Sequence, residues 1–201
     1  MNLHPRDLIC NWARKTEIEH EYHDREWGVP VTDDCKLFEF VILEGAQAGL
    51  SWLTILRRRE GYRRVFHQFD VERVGRMSEK EQAEALSDSG IIRNRAKVRS
   101  AVKNAQAFLQ VQDEFGSFAR YMWGFVDGQP VQGQRRSMAD IPATSALSDT
   151  IARDLKGRGF SFMGSTIVYA HMQATGMVND HILSCPRHAE VSALSTELVL
   201  P

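Results

Sequence analysis

Four residues with an affinity for soft divalent metals stand in two pairs near opposite ends of this 201-residue chain: Cys10 with His23, and His181 with Cys185 at an i, i+4 spacing. Two thiolates and two imidazoles complete a tetrahedral Zn²⁺ sphere, and a closed sphere would clasp the chain ends together rather than catalyse. Spacing alone leaves open the alternative that each side chain is satisfied separately in a core. A second group combines flat rings with one acid: Trp12, Tyr22, Trp27, Glu44 and Trp52 crowd into the first quarter of the chain. A pocket for a base flipped out of a nucleic acid needs such chemistry, rings to stack on and a few polar groups for the base edge; burial in an ordinary core is the commoner fate of tryptophan. Third comes a glycine-rich connection that contains Gly159, Phe160, Gly164, Ser165 and Thr166. Its glycines would let backbone N–H groups approach a phosphate closely, as in a helix-hairpin-helix element, or would serve only as a tight link.

The elements that must position these groups are helical. Apolar residues from Leu37 to Leu56 recur at three- and four-residue intervals, giving two helices within residues 33–59, with a tight glycine-broken connection from Glu44 to Gly49. Ser78 and Glu81 form a capping-box pattern that opens a helix to about Ser87, which Asp88-Ser89-Gly90 ends. From Ile92, the positions Val98, Val102, Ala105, Phe108 and Leu109 mark a long amphipathic helix. Asp127 to Pro130 reads as a turn and Val131 to Arg136 as a surface loop, followed by helices over about 145–156 and 165–175 on either side of the glycine-rich connection. Alternating strand patterns are nearly absent, so the fold class is all-α. Length suits a single domain over 1–201, with a core over about 10–185 and a weakly patterned tail over 186–201 expected to be partly disordered.

The net charge of −1 excludes a uniformly basic DNA-coating protein but not a basic face. Arg93, Arg95, Lys97, Arg99 and Lys103 fall in an acid-free window, and Arg57, Arg58, Arg59, Arg63 and Arg64 form a second cluster; each reads first as a solvated helix face and second as a nucleic-acid footprint. Cys10, Cys35 and Cys185 make no disulfide framework and suit a reducing compartment. With no long apolar stretch and no apolar leader at the N-terminus, the expectation is a soluble cytoplasmic protein.

Longer motifs narrow the reading. Tyr22-His23-Asp24-Arg25-Glu26-Trp27-Gly28-Val29-Pro30, Leu43-Glu44-Gly45 with Gln47-Ala48-Gly49-Leu50-Ser51-Trp52, Gly90-Ile91-Ile92-Arg93, the run Lys156 to Gly164, Met172-Gln173-Ala174 and Val178-Asn179-Asp180-His181 span about Cys10 to Cys185. Together they resemble the 3-methyladenine DNA glycosylase I family. The resemblance implies a helix-hairpin-helix glycosylase fold with a structural zinc clasp held by Cys10, His23, His181 and Cys185. It also implies that Glu44 and Tyr22 hydrogen-bond an extruded methylated adenine, that Trp52 stacks on it and that Trp12 and Trp27 wall the pocket. The partners it implies are double-stranded alkylated DNA and released 3-methyladenine, for an enzyme acting as a monomer, with 3-methylguanine a weaker substrate.

Position 19, which can be tyrosine in relatives, is Glu19 here, and the tail after Cys185 departs from the pattern. Where the wider superfamily carries an essential aspartate this chain aligns Asn179, with Asp180 one residue away; Gly164-Ser165-Thr166 lacks the lysine of strand-cleaving relatives. The expected chemistry is therefore base release without strand cleavage, with Glu44 as a carboxylate facing a cationic base. Two rivals are a zinc-clasped protein that binds alkylated or flipped bases without hydrolysis, and a zinc hydrolase of small molecules, which would need an open ligand position.

Overall fold

The computed structural model describes residues 8–194 and 199–201. The chain opens with a 3-10 turn, Asn11–Arg14, and helix α1, Glu17–Arg25, followed by α2, Asp34–Gln47. Short helices α3 (Trp52–Leu56), α4 (Arg59–Val65), α5 (Val71–Gly75) and α6 (Glu79–Ala85) lead to the long α7, Arg95–Phe115, and to α8, Phe118–Gly124. Strand β1, Val131–Gln132, precedes α9 (Ala146–Gly157) and α10 (Ser165–Ala174); β2, Val178–Asn179, and α11, Pro186–Leu194, complete the order.

Side-chain caps mark many of the starts. Thr16, Asp33, Ser51, Asn94 and Ser117 each accept from a backbone N–H of the following turn, and Ser78 with Glu81 forms the capping box legible in the sequence. The long α7 buries Val98, Val102, Ala105, Phe108 and Val111 against α2 and α5, while Phe108 stacks on Phe118 at 4.0 Å. A smaller apolar cluster joins the chain ends: Ile9, Cys10 and Ala13 pack with Tyr22, Trp27, Phe40, Ile182 and Cys185.

Three local expectations need correction, and one helix carries no sequence signal. Helix α2 continues through Glu44, Gly45 and Ala46 to Gln47, so only the following residues form the turn; Gly45 lets the hairpin lie close, its absent Cβ falling 3.6 Å from Phe162 Cβ. Val131–Gln132, the start of the expected surface loop, is exposed but forms a strand that pairs in parallel with Val178–Asn179. Helix α1 has almost no apolar periodicity, yet forms under the Thr16 cap, burying Glu19, Tyr22 and His23. Residues 186–194 of the tail are helical because Val191 is buried and Asn179 Nδ2 donates to His188 O at 3.0 Å and Ser192 Oγ at 3.1 Å; the expectation for 195–198 lies outside the described residues.

The arginine cluster at 57–64 is mostly internal bracing. Arg59 donates through Nη1 and Nη2 to Glu26 at 2.6 and 2.7 Å and through Nε to Glu39 at 2.8 Å, while Lys36 and Arg63 also reach Glu39. Burial works to raise both carboxyls, but Arg59 and Lys36 outweigh it, holding Glu26 at about 2 and Glu39 below the usual carboxylate range. This network locks the end of α1 to α2 and α4. Arg59→Met leaves Glu39 buried without its main partner and is expected to cost about 3 kcal/mol in urea denaturation at neutral pH. Both acids are depressed, so the network's contribution is full above 4.5 and is lost as pH falls from there through about 2.

Candidate active site and metal centre

Cys10, His23, His181 and Cys185 converge, all buried, with their donor atoms within 4.8 Å of one another. His23 Nε2 faces His181 Nδ1 at 3.1 Å, and Cys185 Sγ lies 3.6 and 3.8 Å from these two nitrogens. Each imidazole commits its other nitrogen outward: His23 Nδ1 donates to Asp24 Oδ1 at 2.7 Å, and His181 Nε2 donates to Trp27 O at 2.9 Å. Those bonds leave two lone pairs aimed at each other, an arrangement that a cation between them relieves. Tetrahedral bonds of about 2.0–2.3 Å put ligand atoms roughly 3.3–3.8 Å apart, close to the spacing seen, so the set fits a four-coordinate ion. Hydrogen bonding from Cys10, then from His181 and His23, pushes the Cys185 thiol down, while the same bond to Cys185, helped by burial, pushes the Cys10 thiol up. Gly28 allows this approach: at φ +84° it sits against the His181 ring, 3.1 Å from where a Cβ would stand.

This cluster shares a wall with a cavity of about 290 Å³. Trp12, in the 3-10 turn that Cys10 begins, meets Trp27 edge-on at 5.2 Å, and Trp27 packs edge-on against His181 at 4.6 Å. Tyr22 directly precedes His23 on α1 and tilts against Trp52 at 5.4 Å. Trp12, Tyr22, Trp27, Glu44 and Trp52 all line this one cavity, so the structure brings the whole aromatic and acidic set together.

Glu44 is 2% exposed, and nothing among the described residues hydrogen-bonds its Oε2. No arginine among the described residues neutralises it; Arg59 is engaged with Glu26 and Glu39. Burial pushes the Glu44 carboxyl up to about 8 in the open slot, so its expected role as a carboxylate depends on a cation entering beside it. Burial, followed by the nearby Glu44, also pushes the Tyr22 hydroxyl well up, keeping it a neutral donor. Trp52 Nε1 is a second buried polar atom without a partner among the described residues.

Sequence reasoning missed other parts of the lining. Gln47 from the last turn of α2, Met138 and Ile141 from the loop before α9, and Gln173 from α10 complete the walls, as does Glu19, whose Oε2 accepts from Thr16 Oγ1 at 2.8 Å. Gln173 stood in a recognisable motif without a chemical role attached; Met138 and Ile141 lie in a stretch with no motif. Lys97 fixes the turn after α2, its Nζ donating to Ala46 O and Ala48 O at 2.7 and 2.8 Å.

Of the two aligned candidates for an acidic role, Asn179 is a buried strap donating to Gln132, His188 and Ser192. Asp180, also buried, accepts from Arg135, Tyr169 and Gln173. Helices α9 and α10 pack together across the hairpin, whose backbone is left-handed at Gly159 and Phe162. Gly159 and Gly164 face open space and Thr166 is exposed, whereas Phe160 is buried beside Phe118 and the Ser165 hydroxyl bonds Ser148 and Asp149. The side chains of Phe160 and Ser165 therefore brace the hairpin from inside. Lys103, Arg153 and Lys156, all exposed, rim the groove beside it.

These features define a helical protein with a buried cluster of two cysteines and two histidines and, beside it, an aromatic slot lined by a buried acid. The methyladenine glycosylase family model matches residues 12–188, and the chain belongs to that family. It is 46% identical over 176 residues to DNA-3-methyladenine glycosylase 1 of Escherichia coli, covering 88% of this chain and 94% of that one. The corresponding values for DNA-3-methyladenine glycosylase of Haemophilus influenzae are 42% over 177 residues, 88% and 96%. A solved 3-methyladenine DNA glycosylase I superposes with a TM-score of 0.86 at 49% identity over 89% of this chain and 98% of its own. A Staphylococcus aureus enzyme whose structure addresses 3-methyladenine recognition gives 0.86 at 33% over 88% and 94%.

Proposed function

We propose that this protein hydrolyses the N-glycosidic bond of 3-methyladenine in alkylated double-stranded DNA and leaves the strand intact. The observation that carries the reading is the buried, unpartnered Glu44 Oε2 at the floor of a slot walled by Trp12, Tyr22, Trp27 and Trp52. Relatives named for 3-methyladenine excision, one studied for recognition of that base, support it.

Methylation at N3 makes the purine cationic while it is still attached to deoxyribose, so it departs without a strong acid. As the C1′–N9 bond breaks, its electron pair passes to the base, which leaves as neutral 3-methyladenine; water bonds to C1′ and gives its proton to solvent. A cation entering the slot supplies the partner that Glu44 lacks and draws its pKa down, making the carboxylate as substrate binds. Tyr22 reads the base edge as a neutral donor and Trp52 stacks on the ring, with Trp12 and Trp27 closing the wall. Neutral adenine offers no such charge, and its stable pairing resists extrusion.

Zn²⁺ on Cys10, His23, His181 and Cys185 would supply structure and no chemistry, since the four side chains close its sphere. Gly159, Gly164 and Thr166, with the backbone N–H groups that begin α10, face a phosphate, while Lys103, Arg153 and Lys156 add a salt-dependent attraction. The protein acts as a cytoplasmic monomer. The test is chromatography of bases released from methylated DNA: free 3-methyladenine with uncut strands is expected. DNA binding without base release would instead favour the non-catalytic rival.

A further inference from the structure

Resting on that reading, we infer that Gln173 distinguishes a 6-amino from a 6-oxo purine and that Asp180 sets the orientation of the Gln173 amide. Gln173 is the α10 residue whose polar side chain lines the slot, and its Nε2 donates to Asp180 Oδ2 at 2.9 Å. An amide with its nitrogen committed behind it presents its oxygen forward. The oxygen is an acceptor, suited to the exocyclic N–H of 3-methyladenine and opposed to the O6 lone pairs of 3-methylguanine.

The orientation is fixed because Asp180 is itself held. Arg135 Nε donates to Oδ1 at 2.8 Å, and the Tyr169 hydroxyl donates to Oδ2 at 2.6 Å. Three donors on one buried carboxylate leave it no reason to turn, and the Tyr169 hydroxyl, which accepts from Arg135 Nη2 at 3.3 Å, does not take its place as acceptor for Gln173. The pairing of β1 with β2 brings this apparatus together: Gly133, just beyond β1, donates its N–H to Asn179 O at 2.8 Å, and a Cβ there would overlap Asp180 Oδ1. The glycine thus lets Arg135 close over Asp180 from outside. The aspartate beside the clasp acts as a positioning residue, not as a group on the reacting sugar.

Asp180→Asn tests the inference because it reverses one bond. With the oxygen of the substituted side chain kept on Arg135, its amide nitrogen faces Gln173 and turns that amide over, presenting NH₂ to the slot. Released 3-methylguanine per 3-methyladenine, read from one digest of methylated DNA, should rise about tenfold. Gln173→Leu removes the amide and should raise the ratio by a smaller factor; this half-buried side chain decides the matter if Asp180→Asn fails to fold. Both bases come from one digest, so a general loss of active enzyme lowers both and leaves the ratio alone. An unmoved ratio in the folded variants overturns the inference. A wild-type digest that releases no 3-methyladenine would instead sink the glycosylase reading, and this inference with it.

Discussion

Glu44→Gln is expected to slow base release at least about a hundredfold while making the protein harder to unfold. The two effects share one cause. Folding moves this carboxyl from an ordinary 4.5 to about 8 by burial alone, so the folded state binds its proton more tightly than the unfolded chain does. Stability from this group is therefore full below 4.5 and declines as pH rises through about 8. At pH 7 the wild type forgoes about 3 kcal/mol that a permanently neutral glutamine does not, and the gap widens toward pH 8. Thermal melts of the two proteins should separate with rising pH, the variant melting higher. A polar group kept unsatisfied until its ligand arrives is strain held at a functional site, and its removal exchanges activity for stability. Equal base-release rates would remove Glu44 from the reaction, and melting curves that coincide from pH 5 to pH 9 would show that its burial has no electrostatic consequence.

The sequence made the site's chemistry legible further than its geometry. Cys10, His23, His181 and Cys185 are recognisable because thiols and imidazoles in that number have few uses, even with the two histidines 158 residues apart along the chain. The aromatic set could be read because Tyr22 sits beside a candidate ligand and Trp27 four residues after one, so a clasp that forms must carry them with it. Residue type does not show which polar groups will lack a partner. The motif around Glu44 marks it, but residue type and helix alone do not separate it from Glu39, yet Glu39 meets Arg59 and Glu44 meets a void. The basic clusters were equally ambiguous. Arg59, Arg63 and Arg64 turn out to be engaged with acids, while Lys103 joins Arg153 and Lys156 beside the hairpin across about fifty residues of chain. Two-residue strands such as β1 and β2 are too short to leave an alternating pattern, so the Asp180 apparatus that depends on their pairing was hidden as well.

Removing one ligand of the clasp should have the largest structural effect of any single substitution. On the proposed clasp, the wild type is expected to purify with one zinc per chain and Cys185→Ser without it, and the variant to lose at least about 3 kcal/mol of stability. The loss should be local before it is global. The main core on α2, α7, α8 and α10 draws on a separate set of apolar side chains, whereas Ile9, Cys10, Ala13, Ile182 and Cys185 have mainly the terminal cluster to pack in. Without the ion, His23 Nε2 and His181 Nδ1 face each other at 3.1 Å with nothing to reconcile them, so the two terminal segments should part. Trp12 and Trp27 pack directly against this centre, and their parting would open the slot on the clasp side. Tryptophan emission should then shift to the red, and 3-methyladenine affinity should fall, in the same titration with chelator that strips zinc from the wild type. Cys35→Ser is the matched control, an exposed thiol outside the cluster whose loss should change neither zinc content nor melting. If Cys185→Ser keeps a full equivalent of zinc and melts with the wild type, the four-ligand clasp is wrong, and the pocket wall must owe its shape to the apolar packing of the terminal segments alone.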